Sequence, residues 1–197
     1  GYASKYYKAG KTIYLKLKAL NGAAECTVTA IPVVPEAIPA AAFTVAKNSE
    51  RWFVFTAPEK ARYSVKLTGN DAGYCTMHSY KTLESSSNYV PDISEIALGA
   101  GETVYYKVVN DSDADKSVTL SITPIAITAL NLTDKTSDTV SLAENNYVWY
   151  SFKAETAGRY SFNASAKAAE GKYAYTDISY YTDAEGKNSI AGVSNPE

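Results

Sequence analysis

The chain has 197 residues, a formal net charge of −2 and 46% hydrophobic residues. The hydrophobic content is therefore sufficient for packed cores, but the chain has no excess of positive charge to attract nucleic acid or anionic lipid. No run of about 18 apolar residues occurs, so the sequence predicts no insertion into a membrane. Its 17 tyrosines, with many Ser and Thr residues, favour strands over helices.

The first predicted strand covers residues 11–18, and Asn21-Gly22 after it is a strong hairpin cue. Alternating apolar and polar side chains place one strand face on a core and the other in water. The same alternation predicts strands at 52–57, 62–67, 103–109, 117–122, 149–154 and 159–164. No amphipathic helix of useful length is predicted. The expected fold is all-β, with tandem antiparallel β-sandwich domains of the jelly-roll or Ig-like type.

An internal repeat links distant parts of the chain. The segment 52–65 returns without a gap at 149–162, so that Trp52 recurs as Trp149, 97 positions later. A second pair relates 10–17 to 101–108. A period this long indicates domains in tandem.

The alignment of these segments sets the expected domain boundaries. Pro32 and Pro124 end corresponding copies, so one complete sandwich repeat is expected at 36–124. Residues 1–35 then form the C-terminal hairpin of a preceding repeat. Residues 125–197 form the N-terminal part of a following repeat.

A sandwich without its last hairpin has an open sheet edge and an unfilled core. Residues 1–32 carry the element that 125–197 would lack. We therefore expect strand complementation, either within the chain or by a neighbouring repeat or another copy. The alternative is that both fragments are simply partial.

The only two cysteines are Cys26 and Cys75. Sequence does not give their separation, so a bridge and two free thiols both remain open. Cys26 aligns with Val118 of the other copy, which favours a small buried apolar role. The composition suits a secreted or surface protein, and so few cysteines in such a chain point to a bacterial, anaerobic or wall-attached setting and argue against a disulfide-built eukaryotic module.

Several segments together carry a resemblance to a known family. They are 52–58, 61–65, 100–108, 118–122 and 178–186. This pattern resembles the bacterial pre-peptidase C-terminal domain family, a β-sandwich found beside secreted peptidases and in surface proteins. The resemblance implies a non-catalytic accessory or stalk module and no particular substrate. The acidic calcium-site segment found before the first strand in some relatives is not evident here.

Catalytic chemistry has few candidate residues. His78 is the only histidine, so a His-based triad would depend on it alone. It aligns with Ile178 of the other copy, which predicts a strand position. No Gly-rich phosphate loop, HExxH motif or Cys/His metal spacing occurs. The sequence predicts no enzymatic activity and no cofactor. Carboxylates that converge in a cleft would favour the alternative of an enzyme fragment or inhibitor.

Acidic residues alternate in one predicted loop, at Asp111, Asp113 and Asp115. Oxygen ligands at such spacing suit Ca²⁺, which makes the loop a candidate calcium site. The alternative is a solvated hairpin tip, where Asp is favoured by turn geometry. The loop near Asn21 in the other copy lacks this acidic set.

Aromatic residues recur on the predicted non-core face of both copies. They are Trp52, Trp149, Tyr14 and Tyr105. Exposed rings suit sugars or peptides because they offer flat apolar area at little entropic cost. The alternative is that the rings cap a sandwich edge or pack on a neighbouring domain.

These patterns favour a non-catalytic repeat segment of a larger bacterial secreted or cell-surface protein, acting as a structural spacer or adhesion module. The alternative is a carbohydrate- or matrix-protein-binding accessory module of an extracellular enzyme. The expected partners are neighbouring repeats or another copy, with a glycan or matrix protein under the alternative.

Overall fold

The computed structural model describes residues 4–18, 22–23, 25–91, 93–142, 147–167, 176–182 and 189–194. Their regular structure consists of thirteen β-strands and one 3-10 turn at Ala72–Tyr74, and no α-helix occurs in these ranges. The prediction of an all-β chain is confirmed. No helix in the described ranges is long and apolar enough to cross a membrane.

Nine strands lie in residues 36–124, which we call the central region. They are β1 (Glu36–Ala37), β2 (Phe43–Val45), β3 (Ser49–Thr56), β4 (Ala61–Thr68), β5 (Cys75–Tyr80), β6 (Asn88–Val90), β7 (Ile93–Leu98), β8 (Thr103–Asn110) and β9 (Lys116–Pro124). One sheet has the order β1-β3-β8-β5-β6 and the other has the order β2-β9-β4-β7. All neighbours are antiparallel except β1 and β3.

Period-two alternation explains how the central region folds. On β4, Tyr63, Val65 and Leu67 are buried while the residues between them are partly exposed. Tyr106 of β8 and Phe53 of β3 are likewise buried and lie opposite each other. Apolar side chains from both sheets meet in one core cluster, which removes them from water and stabilises the fold.

The predicted strands at 52–57, 62–67, 103–109 and 117–122 correspond to β3, β4, β8 and β9. Their alternation could be read from sequence because each has one buried and one solvated face. The strand predicted at 149–154 is present as β11 (Trp149–Phe152). The strand predicted at 159–164 is not formed.

Four strands lie beyond Pro124, in residues 125–194, which we call the C-terminal region. They are β10 (Ile127–Leu130), β11, β12 (Asp177–Tyr181) and β13 (Ser189–Ser194). Strand β10 pairs in parallel with β11, and Ile127 lies opposite Trp149. This matches the parallel pairing of β1 with β3. Strands β12 and β13 form an antiparallel pair.

The strand predicted at 11–18 is not formed. The N-terminal segment, which we define as residues 4–35, contains no strand or helix in its described positions. Tyr14 is 90% exposed and Leu15 is 71% exposed. A strand needs a partner for its backbone N–H and C=O groups, and this segment pairs with none of the strands in the described ranges.

Candidate functional site

The outer face of the five-stranded sheet carries the largest group of predicted site residues. Strand register places Trp52 opposite Lys107, Lys107 opposite His78, and His78 opposite Tyr89. These residues form one row across β3, β8, β5 and β6. In the adjoining row, Tyr105 lies between Val54 and Tyr80. We call these two rows the aromatic face.

Trp52 is packed by its neighbours on this face. Its ring centroid lies 4.7 Å from that of Tyr80, and its Nε1 donates a hydrogen bond of 2.8 Å to Glu50 Oε1. Only 9% of Trp52 is exposed. The side chain lies on the face opposite Phe53, as alternation predicts. It is not an open platform, because neighbouring side chains cover it.

Lys107 lies at the centre of the aromatic face. Its Nζ is 3.8 Å from Glu50 Oε2, 5.8 Å from the centroid of the Trp52 ring and 6.0 Å from that of Tyr80. The ammonium group therefore has a carboxylate and two rings around it, which offset the cost of its partial burial. This arrangement ties β3, β8 and β5 together on their outer side.

His78 lies on β5, as the predicted strand position requires. Its ring centroid is 6.1 Å from that of Tyr89 in an edge-on arrangement. Partial burial lowers the pKa of His78, and the positive charge of Lys107 lowers it further. The imidazole is therefore neutral at pH 7 and acts as a packing partner of Tyr89.

Trp149 lies in a second cluster, which connects the central and C-terminal regions. The Arg62 guanidinium lies 4.8 Å from the centroid of the Trp149 ring and is paired with Glu95. Trp149 Nε1 donates to Glu95 Oε1 at 3.4 Å, and its ring lies 5.0 Å from that of Tyr181. We call these four residues the Trp149 cluster. Arg62 belongs to β4 and Glu95 to β7, so the indole packs on the four-stranded sheet.

The structure thus separates the four predicted ligand-binding aromatics. Trp52 and Tyr105 share the aromatic face, Trp149 packs against the central region, and Tyr14 lies in the unpaired N-terminal segment. Sequence reasoning did not identify Arg62 and Glu95 as partners of Trp149. Neither residue is marked by a motif, and their contact with Trp149 depends on how two distant parts of the chain meet.

The loop from 111 to 115 is organised by Asn110, which is fully buried at 0% exposure. Its Nδ2 donates to the carbonyl oxygens of Val45, Ala46 and Ala114. Its Oδ1 accepts hydrogen bonds from the backbone N–H and the hydroxyl of Ser112. The side chain therefore joins the loop after β8 to the turn after β2.

The predicted calcium ligands Asp111, Asp113 and Asp115 lie around this turn. Asp115 Oδ1 accepts a hydrogen bond of 2.9 Å from the backbone N–H of Lys47, so this carboxylate has a structural partner. The described part of the chain contains no group of three or more His, Cys, Asp or Glu residues placed to hold a metal ion. Calcium binding by this loop stays a prediction from sequence.

Both cysteines are free. Cys75 is buried, whereas Cys26 is exposed, so the buried apolar role expected for Cys26 is wrong. The alternative of two free thiols, which sequence left open, is the one the structure shows. Burial raises the pKa of the Cys75 thiol, the nearby Asp71 raises it further, and Lys116 partly opposes both effects. Cys75 is therefore a protonated core residue.

No family model matches the chain, and no curated protein or solved structure matches it either.

Proposed function

We propose that this chain is a non-catalytic segment of tandem β-sandwich repeats from a bacterial secreted or cell-surface protein. It acts as a structural spacer or adhesion module. The two sheets of the central region form one sandwich, and the parallel pairing of β10 with β11 in the C-terminal region repeats that of β1 with β3. The resemblance of the repeated motifs to the pre-peptidase C-terminal family supports a bacterial secreted or cell-surface location.

The observation that carries this proposal is one turn contact that recurs along the chain. The Tyr63 hydroxyl donates to the carbonyl oxygen of Glu59 at 2.7 Å, and the Tyr160 hydroxyl donates to that of Thr156 at 2.6 Å. The two tyrosines are 97 positions apart, as are their two acceptors. A tyrosine bonded to the backbone a few residues upstream is a recurrent device of β-sandwiches.

Ring contacts recur at the same spacing. Phe55 and Tyr63 have ring centroids 5.2 Å apart, and Phe152 and Tyr160 have centroids 5.0 Å apart. The stack of Trp52 on Tyr80 has an interplanar angle of 39°, and the stack of Trp149 on Tyr181 has the same angle, although Tyr181 lies 101 positions after Tyr80. Shared side-chain geometry supports a shared unit more strongly than shared strand patterns do, since alternation is common to all sheets.

The Trp149 cluster supports the spacer role. A spacer must hold its successive units in a fixed relation, and linkers without contacts leave such units free to move. Here an aromatic ring of the C-terminal region lies against a cation and a carboxylate of the central region. Trp149 thereby restrains the movement of the C-terminal region relative to the central region.

Small-angle X-ray scattering of the wild type and of Trp149→Ala tests the spacer role. We expect a larger radius of gyration and a more flexible scattering profile in the variant, because the restraint is lost. Arg159→Ala serves as the control, since Arg159 holds in the C-terminal region the position that Arg62 holds in the central region and is exposed. Identical profiles for all three proteins would contradict a restrained connection.

The alternative, a carbohydrate- or matrix-protein-binding module, has one observation in its favour. Tyr89 is a large exposed side chain on the aromatic face, beside His78 and next to the row that holds Tyr105. A glycan and matrix-protein binding screen of the wild type, Tyr89→Ala and Tyr105→Ala separates the two functions. Under the spacer proposal no retained ligand depends on these two tyrosines. Binding by the wild type that both variants lose would favour the alternative.

A further inference from the structure

Tension along the chain pulls the first and the last strand of the central region in opposite directions. Strand β3 ends and β4 begins at the turn 57–60. Because β1 is parallel to β3 and β9 is antiparallel to β4, both β1 and β9 run towards that turn. A pull from the N-terminal side therefore draws β1 away from the turn, and a pull from the C-terminal side draws β9 towards it.

The direction of the pull decides how the hydrogen bonds between strands break. These bonds lie perpendicular to antiparallel strands. When a strand is pulled along its own axis, all its bonds to a neighbour share the force and break together, which we call shear. When two strands are pulled apart from one end, the bonds break one after another, which we call unzipping. Shear therefore needs the larger force.

Strand β9 meets tension in shear. It pairs with β4 from Thr119 to Pro124, and tension acts along its axis at the Pro124 end. The backbone N–H of Ile125 donates a further hydrogen bond of 2.8 Å to the carbonyl oxygen of Arg62 on β4. Only Ile125 and Ala126 separate β9 from β10, so a pull on the C-terminal region reaches this ladder through a short connection.

Strand β1 has a short ladder, with Glu36 opposite Phe53 and Ala37 opposite Val54. Arg51 of β3 adds a side-chain contact to it. Its Nη2 donates to Glu36 Oε2 at 2.6 Å, and its Nε donates to Glu36 Oε1 at 3.3 Å. Such a two-point contact between guanidinium and carboxylate has a fixed geometry as well as opposite charges. The first residue of β1 is thereby attached to β3.

Arg51 also contacts the next strand to enter the fold. Its Nη1 donates to the carbonyl oxygen of Thr44 on β2 at 3.3 Å. The guanidinium carbon lies 5.0 Å from the ring centroid of Phe43 and 5.3 Å from that of Phe53. One side chain thus connects β1, β2 and β3, although β2 belongs to the other sheet. We call these contacts the Arg51 clamp.

The exposure of the clamp separates its effect under tension from its effect at equilibrium. The side chains of Arg51 and Glu36 are 27% and 51% exposed, and exposed ion pairs contribute little to equilibrium stability. The resistance of a fold to tension follows its unfolding rate rather than its equilibrium stability. Glu36 is the first residue of the first strand, so tension must break its contact with Arg51 before it reaches β3.

We propose that the central region bears tension along the chain, with the Arg51 clamp holding the strands through which the chain enters and the ladder of β9 with β4 held in shear where it leaves. The inference rests on the proposed spacer function and extends it. A spacer that keeps its neighbours apart while they are pulled must itself stay folded.

Optical-tweezers unfolding of the full chain tests the direction of loading. Handles are attached through Val34→Cys and Ala126→Cys in one protein, and through Glu59→Cys and Ala126→Cys in the control. All three positions are exposed. Both proteins carry Cys26→Ser, and the native Cys75 is buried and stays unlabelled.

The first pair of handles pulls β1 and β9 along their axes, whereas the control pair unzips β9 from β4 at the turn end. At one pulling speed we expect a mean unfolding force about twofold higher for the first pair, because unfolding under force is governed by the unfolding rate in each direction. Equal forces for the two pairs, or a higher force for the control pair, would overturn the proposal.

Arg51→Met tests the clamp in both pulling directions. With handles at 34 and 126 we expect the unfolding force to fall by about a quarter, because β1 and β2 lose their side-chain attachment to β3. With handles at 59 and 126 we expect no change, since residue 51 lies outside the segment under tension. Glu36→Gln, at the exposed end of the pair, should lower the force in the same direction of pulling only. A loss in both directions, or in neither, would overturn the role of Arg51.

The scattering experiment on Trp149→Ala keeps the two proposals distinguishable. Equal unfolding forces together with the expected scattering change would leave a spacer that does not bear tension. The expected difference in force without the scattering change would retain the tension-bearing central region and remove the restrained connection to the C-terminal region.

Discussion

The Tyr63 hydroxyl donates a hydrogen bond to the backbone carbonyl of Glu59, across the turn that joins β3 to β4. Tyr63 is buried, and its ring packs edge-on against Phe55. The bond therefore fixes the path of the turn while the ring fills the core. Tyr160 repeats the bond at Thr156 in a half-buried position.

Tyr63→Phe removes the hydroxyl from a buried position and should lower the free energy of unfolding by about 1–2 kcal/mol, because the Glu59 carbonyl loses its partner. Tyr160→Phe, at the corresponding position, should cost less than about 0.5 kcal/mol, since water reaches that turn. Urea denaturation of both variants measures the difference. Equal losses would contradict the different burial of the two tyrosines.

Asn110→Ala should destabilise the central region by about 3 kcal/mol. The substitution leaves the carbonyl oxygens of Val45, Ala46 and Ala114 without the donor that Asn110 supplies in a buried setting. Asp113→Ala, in the same loop but exposed, should change stability by less than about 0.5 kcal/mol. Thermal and chemical unfolding measure both effects. A loss at Asn110 no larger than at Asp113 would show that this network does not hold the loop.

Arg62 and Trp149 should be energetically coupled. In a double-mutant cycle of Arg62→Met and Trp149→Leu, we expect a coupling free energy of about 1 kcal/mol from the contact of the cation with the indole ring. The cycle of Arg159→Met with Trp149→Leu is the control and should give no coupling, because Arg159 is exposed. Additive losses in the first cycle would mean that the contact contributes nothing measurable.

His78 should make stability depend on pH below neutrality. Its folded-state pKa lies below the ordinary value of 6.5, because burial and Lys107 disfavour the charged form. The unfolded chain therefore binds the proton first as pH falls through about 6.5. Stability is lost from that point down to the folded pKa. The melting temperature of the wild type relative to His78→Gln should be lower near pH 5.5 than near pH 7.5.

An NMR titration gives the direction of the His78 pKa shift directly. His78 is the only histidine, so its imidazole signals need no assignment by mutation. A midpoint above 6.5 would contradict the influence of Lys107 and burial on this side chain.

Sequence reasoning succeeded where local pattern decides structure. The alternation around Phe53, Tyr63 and Tyr106 identified β3, β4 and β8, because side chains on a strand point alternately to the core and to water. It also placed Trp52 on the outer face. It failed to show that Trp52 is covered, because Tyr80 and Glu50 reach it from positions that only strand pairing and side-chain geometry define.

The alignment of the two repeat copies was also off by one position at β12. It set His78 against Ile178, which would give Tyr180 the place of Tyr80. In the structure Tyr181 stacks on Trp149, one position further along. The pairing of β12 with β13 is irregular between Ile178 and Tyr180. A one-residue irregularity moves every later side chain to the other face, and an alignment that runs straight through this strand does not show it.

The strand predicted at 11–18 failed for a different reason. Its alternation is regular, but alternation only shows that a segment suits a sheet. Whether the strand forms depends on a partner for its backbone groups. Tyr14 and Leu15 are exposed, and none of the strands that the structure describes pairs with them.

A crystal structure of the chain tests the repeated unit most directly, through superposition of residues 149–164 on residues 52–67. We expect the two backbones to follow one course, with the Tyr160 hydroxyl on the Thr156 carbonyl as Tyr63 is on Glu59. A helix at Trp149, or a Tyr160 hydroxyl turned away from that carbonyl, would contradict the repeat and the spacer role built on it.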